Sequence, residues 1–441
     1  MIGAILIFIA FAVMARYCLN LSLGALLAIS PAYLIRFKIG GILPSTWLEM
    51  AFFGLLFGWL ISLIADKNFR ADFWQRLTYF SRQNKALLIL LVIIFVSSIS
   101  ACLVPTDKIA ALGLARAYLW EPLIYFGLMI LYWTKKDLPA AIAFLVPTML
   151  LIDILALNQA INGYSFMEMA AGTSVNWRAT GPYPYPNAIG LFLAPATLLL
   201  WLIGWRAILS KKYIIFSGIV LLSLFNLWTI YMAQTEAAIV AIIGAVGLFI
   251  ITRKKGIYLG IIGAVLAIGI FSYAQVWPKI MEKLTFNDFS GQIRRQMLLE
   301  TGSMIKDNFL WGAGLGAYQT AVAPYHWPVL IFTDAAGKLY EQPVEIYMYP
   351  HNIFLNFWSE LGFFGMLAFM SLIFLSLWKS VAAWWRDKND EAWLAGLALL
   401  VLLVHGLADV PLFKNDLALL FFFIIAVNHL LHSKPNPATK V

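Results

Sequence analysis

Charge is scarce in this chain. Asp, Glu, Lys and Arg make up 12% of its 441 residues, against about 25% in a soluble domain. That shortage excludes an ordinary water-exposed globule. Cysteine is scarcer still: Cys18 and Cys102 are the whole supply. Both lie in apolar segments, so there is no disulfide framework and no bridge between them is expected. The ligand patterns of metal and nucleotide sites are missing as well. The chain has no His-Glu-x-x-His, no Asp-x-Asp, no cysteine pair and no glycine-rich phosphate loop with lysine. Neither a metal nor another cofactor is expected. Regular ten-residue alternations of polar and apolar residues are absent too, which excludes a closed barrel.

What fills the chain is apolar, at 62% of residues. Hydrophobic segments fall at 2–15, 18–35, 47–65, 86–104, 112–133, 138–158, 187–205, 213–233, 236–252, 256–273, 351–378, 392–410 and 416–431. Most are long enough to cross a ~30 Å hydrocarbon core as helices. The expected fold is therefore an all-α polytopic membrane protein with 12 or 13 transmembrane helices. The first two segments are short and read as half-helices or a tight hairpin, so residues 1–35 make one or two crossings. Met1–Met14 has no basic stretch and no small-residue cleavage site, which predicts a retained anchor. No internal repeat is visible. The chain reads as a single membrane domain, 1–441, into which residues 274–350 are inserted as one large loop.

The net charge of +9 does not call for nucleic acid, because the basic residues sit in short connections between spans. Residues 66–85 carry Lys67, Arg70, Arg76, Arg82 and Lys85 against two acids. Lys135-Lys136, Arg206/Lys211/Lys212, Arg253-Lys254-Lys255 and Lys379/Arg386/Lys388 follow. These connections alternate with ones poor in Lys and Arg, which puts them on the cytoplasmic side. Loop 274–350, with six basic and seven acidic residues, then faces outward. So do 159–186, the Gln234–Glu236 turn and the Val410–Asp416 turn.

Within the loop, Gln292–Leu310 has helical periodicity. Ile293, Met297, Leu298, Met304, Ile305 and Phe309 fall on one arc, and Arg295, Gln296, Glu300, Ser303, Lys306 and Asp307 on the other. This predicts an amphipathic helix lying on the outer membrane surface. Arg294 breaks the pattern by falling inside the apolar arc. A guanidinium there needs an anionic partner: either a carboxylate in a structural pair, or a bound anion such as a diphosphate, which suits its bidentate fork. Arg178 precedes Gly181-Pro-Tyr-Pro-Tyr-Pro186-Asn187, where the prolines forbid helix until Asn187. Asn187 reads as a helix N-cap, and helix N-termini attract anions. Arg178 is thus a second phosphate contact or an arginine on lipid headgroups. His351 opens a long apolar helix whose Asn352, Asn356, Ser359 and Glu360 make a polar stripe. It is either a capping residue or a general base.

Weaker candidates are Arg116, spaced five residues from Glu121 and readable as a structural pair, and Asp409, four residues after His405 and again readable as paired. Glu236, at an outer helix end, either orients a base or is solvated. Gly312-Ala-Gly314-Leu-Gly316 follows a helix instead of a strand, so it reads as a flexible turn and not a nucleotide fingerprint.

In order, these pieces resemble the O-antigen ligase/polymerase superfamily. Arg178-x-x-Gly181 with Pro186-Asn187 is similar to the family's Arg-x-x-Gly…Asn lead into a span. Arg294 followed by Gly312-x-Gly314-x-Gly316-x-Tyr318 is similar to its loop helix. His351-Asn352…Glu360-Leu-Gly362-x-x-Gly365 is similar to its His-Asn…Glu-x-Gly span, and Asp409 matches a late acidic position. Leu298, Phe309 and Gln234-Thr235-Glu236 depart from the family pattern.

The resemblance implies an inverting, metal-independent glycosyltransferase of GT-C type in the bacterial inner membrane, with its active site facing the periplasm. It would take a glycan from undecaprenyl diphosphate and pass it to a lipid A–core sugar or, in a polymerase, to another lipid-linked unit. It would need no cofactor. Arg178, Arg294 and His351 are its expected catalytic residues. Arg116, Asn187, Asn352, Glu360, Glu236 and Asp409 are its expected substrate-binding residues. The rival from another class is a lipid-linked-glycan transporter, which calls for repeats and midplane polar groups. Here the polar residues crowd toward one face, under the loop.

Overall fold

The computed structural model describes residues 2–40, 43–163, 178–252, 289–333 and 339–432. The expected span 256–273, the basic run Arg253–Lys255 and the start of the large loop lie outside the described residues. The helices are α1 (Ile2–Tyr17), α2 (Leu19–Ala28), α3 (Trp47–Ala65), α4 (Lys67–Gln83), α5 (Lys85–Leu103), α6 (Lys108–Tyr132) and α7 (Leu138–Asn162). After these come α8 (Asn187–Leu209), α9 (Tyr213–Met232), α10 (Glu236–Ile251), α11 (Phe289–Asp307), α12 (Ile353–Asp387), α13 (Asp390–Gly406) and α14 (Asn415–His432). Eight of the described helices are long and apolar enough to cross a membrane, and α1, α2 and α10 are shorter apolar helices. The protein is an all-α polytopic membrane protein.

Local chemistry sets the helix starts. Thr46 and Glu49 form a reciprocal capping box on α3, and Asn389 accepts from the Ala392 N–H at the start of α13. α8 begins right after the Tyr-Pro-Tyr-Pro run, where the last proline stops restricting the backbone. The centre of the bundle is α8 and α14, apolar all round and 83% and 94% buried over their spans. The outer helices instead leave one side bare: on α9, Ile214, Leu221 and Leu224 are exposed, as a lipid-facing side must be.

α1 packs closely across α3. A Cβ on Gly54 would meet the Phe8 carbonyl oxygen at 2.3 Å, and one on Gly58 the Ala12 oxygen at 2.1 Å. Glycines four apart let the two backbones touch, the usual means of joining helices where lipid removes the hydrophobic drive.

Several expectations change. Two antiparallel hairpins appear, β1 (Arg36–Ile39) with β2 (Leu43–Thr46), and β3 (Val329–Thr333) with β4 (Leu339–Pro343). The second lies in the large loop, for which helices but no strands were expected. α11 forms, but its faces differ from the periodic reading: Leu298 and Phe309 are exposed, while Gln296 and Glu300 are buried. The reason is the loop's own packing. Glu300 accepts from the Trp327 N–H at 2.8 Å, and Gln296 donates to the Trp327 carbonyl at 2.6 Å. The polar face is used to hold the segment leading into β3. Cys18 is exposed, Cys102 buried, and both are free.

The turn expected to be flexible is a wedge. α12 breaks at Gly362 (φ 72°, ψ −176°), which frees backbone groups in mid-helix. The Ala313 N–H donates to the Ser359 carbonyl at 2.6 Å, and the Leu310 carbonyl accepts from the Phe363 N–H at 3.1 Å. A Cβ at Gly362 would meet the Leu310 oxygen at 2.2 Å, and one at Gly312 the Ser359 oxygen at 2.7 Å. Both glycines also have positive φ, so no other residue fits without strain. Leu315 extends the joint by donating to the Ala101 carbonyl at the end of α5. The loop is thereby stapled into the bundle.

Candidate active site

One carboxylate gathers the candidates. Asp409 lies past the end of α13 and is fully buried. Its Oδ1 is 3.3 Å from His351 Nδ1, its Oδ2 accepts from Asn187 Nδ2 at 2.9 Å, and Oδ1 also takes the Val410 N–H. Burial alone would raise the pKa of Asp409. The hydrogen bonds from His351 and the Asn187 amide outweigh it, and the group sits below the ordinary carboxylate value. An ionised acceptor at Nδ1 assigns the proton to that nitrogen and leaves Nε2 as a lone-pair acceptor.

Asn187 carries the connection onward. Arg178 Nη2 donates to Asn187 Oδ1 at 3.1 Å and to the Gln234 carbonyl at 3.1 Å, while Nε donates to the Ala233 carbonyl at 2.9 Å. The N-cap of α8 is Pro186, without a side-chain cap. Asn187 is therefore not the cap expected, because its amide is committed to Arg178 on one side and Asp409 on the other. Burial lowers the pKa of Arg178, and the charge of Glu236 works against that. The Ala179 N–H donates to the Met232 carbonyl, which fixes the segment against the end of α9.

Backbone strain marks the same place. Among the described residues, four non-glycine residues have positive φ: Lys211, Gln234, His351 and Lys388. Lys211 and Lys388 end α8 and α12, where the left-handed region is common. Gln234 (φ 51°) and His351 (φ 44°) sit at the site instead, one presenting a carbonyl to Arg178 and the other an imidazole to Asp409. Such strain is held only where surrounding contacts over-determine it.

The remaining candidates divide. Asn352 caps α12, accepting from Phe354 and Leu355, and donates to the Leu407 carbonyl at 3.2 Å; it ties the His351 segment to the Asp409 turn. Arg294 is half-buried and its neighbour Arg295 exposed, as the helix faces required. Its charge reaches His405, which lies one turn before Asp409. Glu236 acts on Arg178 through space. Glu360 is buried and accepts from the Gly316 backbone, so it serves the glycine wedge.

Arg116 pairs with Glu49 at 2.8 Å and Glu121 at 3.3 Å. The five-residue spacing meets because Arg116–Trp120 is a π turn, in which the Glu121 N–H reaches the Arg116 carbonyl. In a regular α-helix, residues five apart point different ways.

Sequence reasoning missed the aromatic wall. Tyr349 and Tyr347 lie 4.7 and 5.4 Å from the His351 ring, centroid to centroid, and Lys414 sits 4.2 Å over Tyr185. The signal was present in Tyr347-Met-Tyr349-Pro-His351 and Tyr183-Pro-Tyr185-Pro186, and in a lysine on a turn assigned to the outer side. Among the described residues, no three of His, Cys, Asp and Glu gather as metal ligands.

A family model described as O-antigen ligase matches residues 221–370. That match covers about a third of the chain and supports a likeness to the O-antigen ligase superfamily over this stretch. The matched stretch runs from α9 through α10, the large loop and the glycine wedge into α12, and so takes in Glu236, Arg294, His351, Asn352 and Glu360. Arg178, Asn187 and Asp409 lie outside it and join the site through the fold. O-antigen ligases and their relatives are glycosyltransferase-like enzymes, and a lipid-linked glycan and an acceptor are their partners in general. The family suggests ligase-like or polymerase-like activity for this chain. No curated protein matches it.

Proposed function

We propose that the chain is an inverting, metal-independent glycosyltransferase of the bacterial inner membrane, acting at its periplasmic face. The donor is a glycan on undecaprenyl diphosphate, and the acceptor is a hydroxyl of the lipid A–core. The observation that carries this reading is the continuous chain of contacts from Arg178 through Asn187 and Asp409 to His351. It joins a cation suited to phosphate and a base suited to a hydroxyl, though the two are 173 residues apart in the chain.

The chemistry follows from those groups. His351 Nε2 takes the proton of the acceptor hydroxyl as its oxygen attacks the anomeric carbon. The bond from that carbon to the diphosphate oxygen breaks on the opposite side, so configuration inverts and undecaprenyl diphosphate leaves. Negative charge grows on the leaving oxygens. The described bonds of Arg178 use Nε and Nη2, so Nη1 is the nitrogen that meets phosphate, with Arg294 as the second cation. One well-aimed donor of this kind is worth roughly 10²–10³ in rate, and a general base about 10²–10⁴. Asp409 and Asn187 act through their neighbours: Asp409 holds the imidazole tautomer, and Asn187 sets the spacing between Arg178 and Asp409. A diphosphate leaves without protonation, so no general acid is required.

The test is transfer by the purified full-length protein from an undecaprenyl-diphosphate-linked glycan to lipid A–core. Product with inverted linkage, unaffected by a chelator, is the expected result. Extension of one lipid-linked unit by another, with no transfer to core, would replace the ligase by a polymerase. Failure of both reactions while the donor crosses the bilayer would make the protein a transporter.

A further inference from the structure

The end of the bundle away from His351 holds a feature the glycosyl chemistry does not use. Where α4 gives way to α5, the junction faces α12 and α14 across a hollow of about 140 Å³. Lys379 lies 27 residues past Asn352 on α12, about 40 Å along a helix axis. Lys85, Lys379, His429 and Asn428 supply polar lining to the hollow, and neither Asp nor Glu is among its lining residues. Positive charge continues at the rim: Lys379 acts on both His429 and His432, and Lys135 on His432, with Asp387 as the opposing carboxylate there. The floor is held in place. Asn428 donates to the Ala395 and Ile424 carbonyls and accepts from Ser380.

The hollow does not end in protein. Ala86 and Leu375 line it and also line an adjoining apolar groove, whose walls include Ile89, Leu90, Met370 and Phe374. Ile89 is 58% and Phe374 63% exposed, so the groove opens sideways into lipid. Lysines that merely orient a span need a short loop and nothing more. These two instead flank a polar recess between the α4–α5 junction, α12 and α14 that runs on into an open apolar groove. An apolar groove by itself does not distinguish lipids, because acyl tails are as apolar as leucine. A basic recess at headgroup depth does, by the charge of the headgroup.

We infer that hollow and groove are one site for an anionic phospholipid. The phosphate headgroup sits between Lys85 and Lys379, and one acyl chain lies along Ile89 and Phe374. The inference does not depend on the glycosyltransferase reading, since it concerns the opposite end of the molecule and is read by binding alone.

Purified full-length protein titrated with phosphatidylglycerol or phosphatidylcholine, and read by native mass spectrometry for retained lipid, tests it. Phosphatidylglycerol should be retained about thirtyfold more tightly than phosphatidylcholine, the effect of two lysines near a headgroup. Lys85→Ala with Lys379→Ala should remove that preference, and Lys85→Arg with Lys379→Arg should keep it. Phe374→Asp should weaken phosphatidylglycerol as well, by spoiling the groove. Equal retention of the two lipids by the native protein would overturn the inference, and that comparison stands even if the alanine pair does not fold. Inorganic phosphate binding as tightly as phosphatidylglycerol would also overturn it, by making the hollow a free-anion site.

Discussion

Two arginines at opposite ends of α8 show how one side chain serves two purposes. Arg206, at the far end, grips one carboxylate with two nitrogens, 2.7 and 2.8 Å from the Glu391 oxygens, with Lys135 3.7 Å from the same group. Its charge is answered inside the protein. Arg178, beside the opposite end, is held by two backbone carbonyls and an amide. Those acceptors are neutral, so they fix its direction without cancelling its charge, and Glu236 acts on it through space. Arg116 follows the first pattern, clamped by Glu49 and Glu121. A cation seated by neutral oxygens is prepared for an anion from outside; one seated by carboxylates holds helices together.

The largest loss is expected at the imidazole. His351→Ala should lower transfer by about 10²–10⁴ with membrane abundance unchanged, and full activity would remove His351 from the reaction. Next come the arginines assigned to phosphate. Arg178→Lys and Arg294→Lys should each cost roughly 10²–10³ in turnover, because lysine lacks the planar fork; rates within twofold of the native protein would refute their role. Asp409→Asn should cost about 10–100-fold, the usual weight of a partner that orients a working group. It should also flatten the dependence of rate on pH, a change that lost stability alone does not produce.

Smaller effects test the other end. Arg206→Ala should leave turnover per folded molecule as it was and lower stability by about 1 kcal/mol, the scale of an ion pair that water still reaches, read by thermal denaturation. A fall in turnover larger than the fall in folded protein would give Arg206 a part in the reaction beyond tying α8 to α13. Arg295→Ala, on the exposed side of α11, should change neither rate nor stability measurably.

Much of this was legible in the chain. Apolar runs gave the helices, since a segment in lipid must satisfy its own backbone. The Tyr-Pro-Tyr-Pro run set where α8 begins, and the difference between Arg294 and Arg295 followed from helical geometry. The faces of α11 were misread because a loop can bury polar groups by bonding its own backbone, as Gln296 and Glu300 do with Trp327. The glycines of residues 312–316 looked flexible because their partner, the break at Gly362, lies 46 residues later.

Hydrophobicity and local backbone chemistry act over one or two turns, so the membrane class, most of the apolar helices and the cast of polar residues were legible in the chain; α4 in the basic connection 66–85 and the run of α12 on to Asp387 were not. Tertiary structure decided which arginine meets neutral acceptors and which meets a carboxylate, and that Asp409 joins His351 to Asn187. Asp409 meets Asn187 across 222 positions and His351 across a separate helix pair, and no periodicity encodes such a meeting. Only the packing of α8, α12 and α13 brings the three to one point.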